Sequence, residues 1–115
     1  MFGHRRKMMD WYKFKFKEYK DETFGLPDAE DLAYRRLIDL YYANEGPLPA
    51  DQSLLERMVT LDYDCIHPVL IAYFQRTESG WAHGRLDQDL ARRQAKAVQA
   101  RAAGKRGGRP KSVMV

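Results

Sequence analysis

The sequence predicts an α+β, mainly helical domain of winged-helix-like order: a strand, three helices, a β-hairpin wing and a long C-terminal helix. Three observations predict it. Residues 32–51 place Tyr34, Leu37, Ile38 and Tyr41 at helical spacing and then stop at Gly46, Pro47 and Pro49, where glycine suits a left-handed cap and proline lacks the N–H of a continuing helix. Two further apolar runs of helical period follow, and Glu78-Ser79-Gly80 then supplies turn chemistry between two short extended runs.

Taken in order, residues 1–10 read as a flexible basic lead-in, with His4, Arg5, Arg6 and Lys7 and no apolar period to dock them. The winged-helix-like domain spans 11–86. Its first strand is expected over 12–17, where Tyr12, Phe14 and Phe16 alternate with Lys13, Lys15 and Lys17, the period-2 pattern of a half-buried strand. That lysine row either meets phosphate or protects a sheet edge from pairing. A polar connection over 18–25 leads to the main helix, with Phe24 and Leu26 tucked against the core. Asp28 is placed to cap that helix in a near relative of the capping box with Asp31, and Glu30 adds charge that suits the helix dipole. Asp51 caps a second helix over 52–59, with Leu54, Leu55, Met58 and Val59 inward and Leu61 packing in the next turn. The third helix begins at 62–65 and runs to about 74, burying Ile66, Val69, Leu70, Tyr73 and Phe74, and tolerates Pro68 if that residue falls in its first turn. The hairpin pairs 73–77 with 81–85, and the first strand extends it to a three-stranded sheet. The extended C-terminal helix occupies 87–103, entered at Leu86. Its thin stripe of Leu86, Leu90, Ala97 and Val98 means that it projects into solvent or pairs with a second copy in a homo-oligomer. Residues 104–115, rich in glycine and basic side chains, read as a disordered basic tail.

The totals exclude several classes. At 115 residues the chain is one small domain able to bury roughly 65% of its unfolded surface. The single cysteine, Cys65, rules out an internal disulfide and a cysteine-rich zinc site. No apolar run long enough for a secretory signal or a membrane span follows the basic start, so a cytoplasmic protein without membrane contact is expected. The acidic residues at 28–31 are helix-start chemistry, no glycine-rich phosphate loop follows a strand, and Cys65, His67 and His83 lack a third partner. No catalytic residue, metal or cofactor is therefore expected. Cys65 reads as a small core residue and His83 as a residue whose ring fixes the hairpin.

Charge is unevenly distributed. Residues 1–20 carry seven Lys/Arg against two Asp/Glu, residues 21–64 three against eleven, and residues 65–115 ten against three. Basic ends around an acidic middle suit a nucleic-acid-binding protein with basic arms, or an acidic body with solubilising tails. In a helix-turn-helix arrangement the third helix would enter the major groove, yet Asp62, Asp64, His67 and Gln75 offer it no cation, whereas guanine is typically read by Arg or Lys. The better nucleic-acid contacts are Lys13 and Lys15 on the strand, Arg76 and Arg85 on the hairpin, Arg92, Arg93 and Lys96 on the last helix, and Arg106, Arg109 and Lys111 in the tail. The tail run from Arg106 to Lys111 resembles a minor-groove Gly-Arg-Pro hook whose spacing is spoiled by an extra glycine. Weakly specific DNA binding is the expectation. The alternative is a protein-interaction adapter that docks a host or phage protein through the acidic first half and the Tyr41-Tyr42 surface.

The run AYRRLIDLYYANEGPLPAD, a hydrophobic helix ending Tyr73-Phe74, Ser79-Gly80-Trp81 with His83, Arg85-Leu86 and a closing KRGGRPK resemble YdaU-type phage and prophage proteins, a domain family of uncharacterised molecular function. The resemblance covers roughly residues 12–111. It implies association with phage replication modules, contact with replication proteins, and a basic glycine-rich lead into a variable C-terminal region. Leu32 departs from the glycine expected before Ala33-Tyr34, and the end at Val115 suggests a short member or a fragment.

Overall fold

A computed structural model describes the backbone of residues 9–114 and the side chains of residues 9–104. Its architecture is α+β and mainly helical: α1 (Phe16–Thr23), α2 (Asp28–Asn44), α3 (Gln52–Val59), α4 (Tyr63–Tyr73), β1 (Gln75–Thr77), β2 (Gly80–Ala82) and α5 (Gly84–Met114).

Helix α2 is the central element, because its spacing buries Ala33, Tyr34, Leu37, Ile38, Tyr41 and Tyr42 along one half of its circumference. Leu55 and Val59 of α3, Ile66, Val69 and Leu70 of α4, Phe74, Trp81, and Leu86 and Leu90 of α5 close on it to form one core. The sheet is a two-stranded antiparallel hairpin pairing Gln75 with Ala82, Arg76 with Trp81 and Thr77 with Gly80. Leu48, in the α2–α3 connection, lies along its free edge. Leu48 and Trp81 exchange two N–H···O bonds, both 2.9 Å.

That bridge bears on the main departure from expectation. Residues 12–17 do not form a strand: residues 9–15 are an irregular strap and Phe16 already begins α1. Of the hairpin's two edges Leu48 takes that of β2, and the strap lies instead on α2, where Tyr12 stacks on Tyr42. Alternation persists without a sheet, since Tyr12 and Phe14 are half-buried while Lys13 and Lys15 are exposed, but it fails at Phe16, which is exposed. The hairpin is also shorter than expected at both ends, because Tyr73 closes α4 while Gly84 and Arg85 open α5.

Local chemistry sets the helix ends. Pro27 occupies the N-cap of α2 and Asp28 is its first helical residue, with no side-chain cap, so the expected capping box is absent and the first-turn acids Asp28, Glu30 and Asp31 act through the dipole alone. The left-handed residue after α2 is Glu45, φ 55°, rather than Gly46. Asp51 does cap α3, accepting from the Leu54 N–H at 3.1 Å. At the other end of α3 the Arg36 guanidinium donates to the carbonyls of Val59 (2.8 Å) and Thr60 (3.3 Å), placing positive charge at the negative end of the dipole. Glu56 accepts from the Tyr63 N–H at 2.8 Å and so serves the start of α4. Pro68 sits beyond the first turn of α4, not within it. Phe24, expected to tuck inward, is exposed.

Helix α5 is docked at Leu86 and Leu90, and its side chains from Gln94 to Gly104 are exposed. Thirty-one helical residues span about 46 Å. The radius of gyration, 18.2 Å, accordingly exceeds the roughly 13 Å of a compact chain this long. Gly104 is helical and exposed; the expected tail from 105 onward lies outside the residues whose side chains are described, and residues 1–8 of the lead-in lie outside the described residues.

Candidate nucleic-acid interface

Tyrosines tie the helices together before any surface is presented. Tyr34 stacks on Tyr73 at 4.1 Å and on Tyr19 at 5.7 Å. Its hydroxyl donates to Glu22 at 3.1 Å and lies 3.0 Å from His83 Nε2. His83 is the N-cap residue of α5: its Nδ1 faces the Leu86 N–H at 3.4 Å, and its carbonyl accepts from Asp87. With Nδ1 accepting, Nε2 carries the proton and donates to Tyr34, which gives the relay His83 to Tyr34 to Glu22. Burial, with the nearby Arg85 charge, pushes the His83 pKa down and keeps the ring neutral. Tyr41 accepts from the His83 N–H at 3.0 Å and donates to Asp87 at 2.6 Å. Every polar group of this buried cluster is satisfied, so it fixes the hairpin–α5 junction and does not present reactive groups. His67, exposed on α4, meets the Tyr63 ring in a tilted contact, and Cys65 is a half-buried free thiol. Among the described residues no group of three His, Cys, Asp or Glu could hold a metal ion, and no helix is long and apolar enough to cross a membrane.

The strap is held by its aromatics. Tyr12 stacks on Tyr42 at 4.0 Å and donates to Asp39, and Phe14 lies under the Arg35 guanidinium at 4.1 Å. Tyr42 in turn donates to Asp89 at 2.6 Å. Tyr41 and Tyr42 are thus both buried, and the docking surface expected of them does not exist.

The structure sorts the expected phosphate contacts into two groups. Arg85 belongs to the fold: it pairs with Glu22 at 2.6 Å and Glu18 at 3.2 Å, tying α5 to α1. Burial disfavours its charge, but Glu22 outweighs that, and its pKa is raised. Lys15 pairs with Asp89 at 3.6 Å, and Arg92 reaches the same carboxylate at 3.1 Å. Burial of Asp89 opposes ionisation; the Tyr42 hydrogen bond and these two cations outweigh it and hold the carboxyl below its usual range. One carboxylate therefore draws the strap and α5 into a common face. Lys13 and Lys96 are exposed with no carboxylate partner among the described residues, as is Arg101, which sequence reasoning passed over. Arg93 lies over the Trp11 ring at 5.1 Å. Arg76 stands apart on β1, where it donates to the Thr77 carbonyl. Arg106, Arg109 and Lys111 fall outside the described side chains.

The surface of α4 is different in kind. Helix α4 contains no Lys or Arg, and its outward residues Asp64, His67, Pro68, Ile71 and Ala72 are exposed. Trp11, missed as a site residue, has its signal in the sequence, where aromatic and lysine residues interleave over 11–17.

A family model described as "Protein of unknown function (DUF1376)" matches residues 10–91. Comparisons with curated proteins and with solved structures give no match.

Proposed function

The chain belongs to this family of unknown function, DUF1376, over residues 10–91, and from its own surface we propose that it is a non-enzymatic nucleic-acid-binding accessory protein. The observation that carries the reading is the division of cations. On the body, Arg85, Arg35, Lys17 and Arg36 are engaged by carboxylates or helix-end carbonyls, and the cations without a carboxylate partner among the described residues, Lys20, Arg57 and Arg76, stand singly on α1, α3 and β1. On α5, after Asp89, Arg93, Lys96 and Arg101 meet no carboxylate among the described residues. Residues 90–115 hold eight Lys/Arg and no Asp/Glu. A projecting helix with that composition, flanked by Lys13 of the strap, displaces counterions from a phosphate backbone and positions it without reading sequence.

The order α2, Leu48 bridge, α3, α4 and hairpin supports a winged-helix reading of the fold. It would be an unorthodox one, since α4 lacks the cations of a groove-reading helix and binding moves to α5 and the strap. The resemblance to YdaU-type phage and prophage proteins supports a place beside replication proteins, in the cytoplasm.

The test is fluorescence anisotropy of the full chain with labelled DNA over a salt series. About four phosphate contacts give a log–log slope near −3.6 on duplex and about −2.8 on a single strand. Lys96→Glu with Arg101→Glu should weaken binding and flatten the slope. Absence of salt-dependent binding refutes the proposal. A second reading, a protein-docking adapter, is favoured by α4, where Ile71 is 60% exposed on a face without Lys or Arg. It requires partner binding lost on Ile71→Glu and indifferent to the α5 charges.

A further inference from the structure

Most of the strap's aromatic side chains are spent on anchoring it, but Trp11 is not. Tyr12 is stacked on Tyr42 and Phe14 lies under Arg35. Trp11 stays 67% exposed, with the Arg93 guanidinium of α5 at 5.1 Å over its ring. The exposed ring leaves apolar area that a second flat ring could cover, and the guanidinium beside it favours a π-face at this place. The hollow next to it, between strap and α5, has apolar walls from Met9, Leu90 and Ala97, and its polar rim includes the carboxylates of Asp10 and Glu45. The lining sets these two carboxylates against one cation, Arg93, so the hollow itself offers a phosphate no net attraction, while Lys13, Lys96 and Arg101 lie outside its lining. The arrangement has one place for a flat apolar ring and another for the backbone that carries it.

Resting on the nucleic-acid reading proposed above, we infer that the ligand of this face is single-stranded, with an unpaired base stacked on Trp11 beside Arg93 and its phosphates on Lys13 and the α5 cations. A duplex keeps its base faces within the stack and can offer this site only phosphates, whereas every base of a single strand presents a ring to an aromatic side chain. Arginine suits the position better than lysine, because its planar guanidinium stacks as well as carrying charge.

The test uses the full chain, with a short oligo(dT) and a mixed-sequence duplex as probes. Trp81, the other tryptophan, is buried, so quenching of intrinsic fluorescence by oligo(dT) reports on Trp11. Trp11→Ala is expected to weaken oligo(dT) binding about tenfold, the order one stacked base contributes, and to leave duplex binding unchanged. Trp11→Phe should retain most of the affinity. Arg93→Lys, which keeps the charge, should produce a smaller loss confined to the single strand, and unchanged circular dichroism melts for all three variants separate these effects from misfolding. Salt-dependent binding that Trp11→Ala alters equally for both probes, or for neither, overturns the inference and leaves the nucleic-acid reading standing. Absence of salt-dependent binding to both probes overturns the two together.

Discussion

Gly80→Ala should be among the most damaging single-methyl additions this chain can receive. Gly80 has φ 128°, a backbone region that L residues rarely adopt, and a Cβ placed there would sit 2.0 Å from the Leu48 carbonyl oxygen and 3.1 Å from its carbon. Normal contact requires the two backbones to separate by more than about 1 Å. The separation falls on the pair of 2.9 Å bonds that Leu48 exchanges with Trp81, since the obstructed oxygen is itself the acceptor of one of them. Two such bonds contribute about 1 kcal/mol each, and the unfavourable φ about 1–2 kcal/mol more, so a loss of about 3–4 kcal/mol is expected. Against a total of about 6–17 kcal/mol for a chain of this length, that is a large fraction. Urea denaturation followed by circular dichroism measures it, with Gly46→Ala as the reference. Gly46 has an ordinary φ and open space around it, so its methyl should cost nothing. A Gly80→Ala loss under about 1 kcal/mol, or one no larger than that of Gly46→Ala, would refute the role of this close approach.

Arg85→Ala should cost about 1–2 kcal/mol by parting α5 from Glu18 and Glu22, with nucleic-acid affinity unchanged; an affinity loss without a stability loss would return Arg85 to the binding surface. Alkaline unfolding should be early and cooperative. Burial, helped by neighbouring carboxylates, raises the pKa of Tyr19, Tyr34, Tyr42 and Tyr73, and pushes Tyr12 and Tyr41 up to about 12. The folded state thus favours the neutral phenols, and their contribution is complete below the unfolded value near 10 and lost as pH rises through the folded values. Phenolate absorbance and melting temperature followed together across that window check it, and independent titration near pH 10 with an unmoved melt would count against it. Glu45→Gly should stabilise the domain by up to about 1 kcal/mol in thermal or urea melts, because it relieves the left-handed residue that closes α2; a destabilised variant would mean the Glu45 side chain makes a needed contact.

Much of the core was legible. The spacing of Tyr34, Leu37, Ile38 and Tyr41 marked the buried face of α2, Asp51 marked the start of α3, and Glu78-Ser79 marked the turn of the hairpin. Periodicity reports which side chains face inward, and these helices follow it. The segment 12–17 shows its limit: inward-facing Tyr12 and Phe14 need only an extended chain lying on α2, and whether such a chain joins a sheet depends on distant partners, among them Leu48, which takes the edge of β2. The site divides in the same way. The cations of α5 and the exposed Lys13 were readable from composition, whereas the removal of Arg85 from the surface depends on acids 63 and 67 residues earlier. The burial of Tyr42 depends on a ring 30 positions before it, and local sequence carries no trace of either pairing.

The ties of α1 to the end of the domain also impose an order in time. Glu22 meets Tyr73 through its backbone and Arg85 through its side chain, contacts separated by 51 and 63 residues, while α2 with α3, α3 with α4, and β1 with β2 close over shorter separations. Short-range contacts form first and distant ones wait on them. During synthesis at about 5–20 residues per second, Glu22 precedes its arginine by about 3–13 s. The segment made first is therefore fixed last, and Tyr34 keeps an uncovered flank until it arrives. Extensions or deletions at the N-terminal end should consequently alter how fast the domain seals while leaving the nucleus around α2 and α4 to form at its own rate.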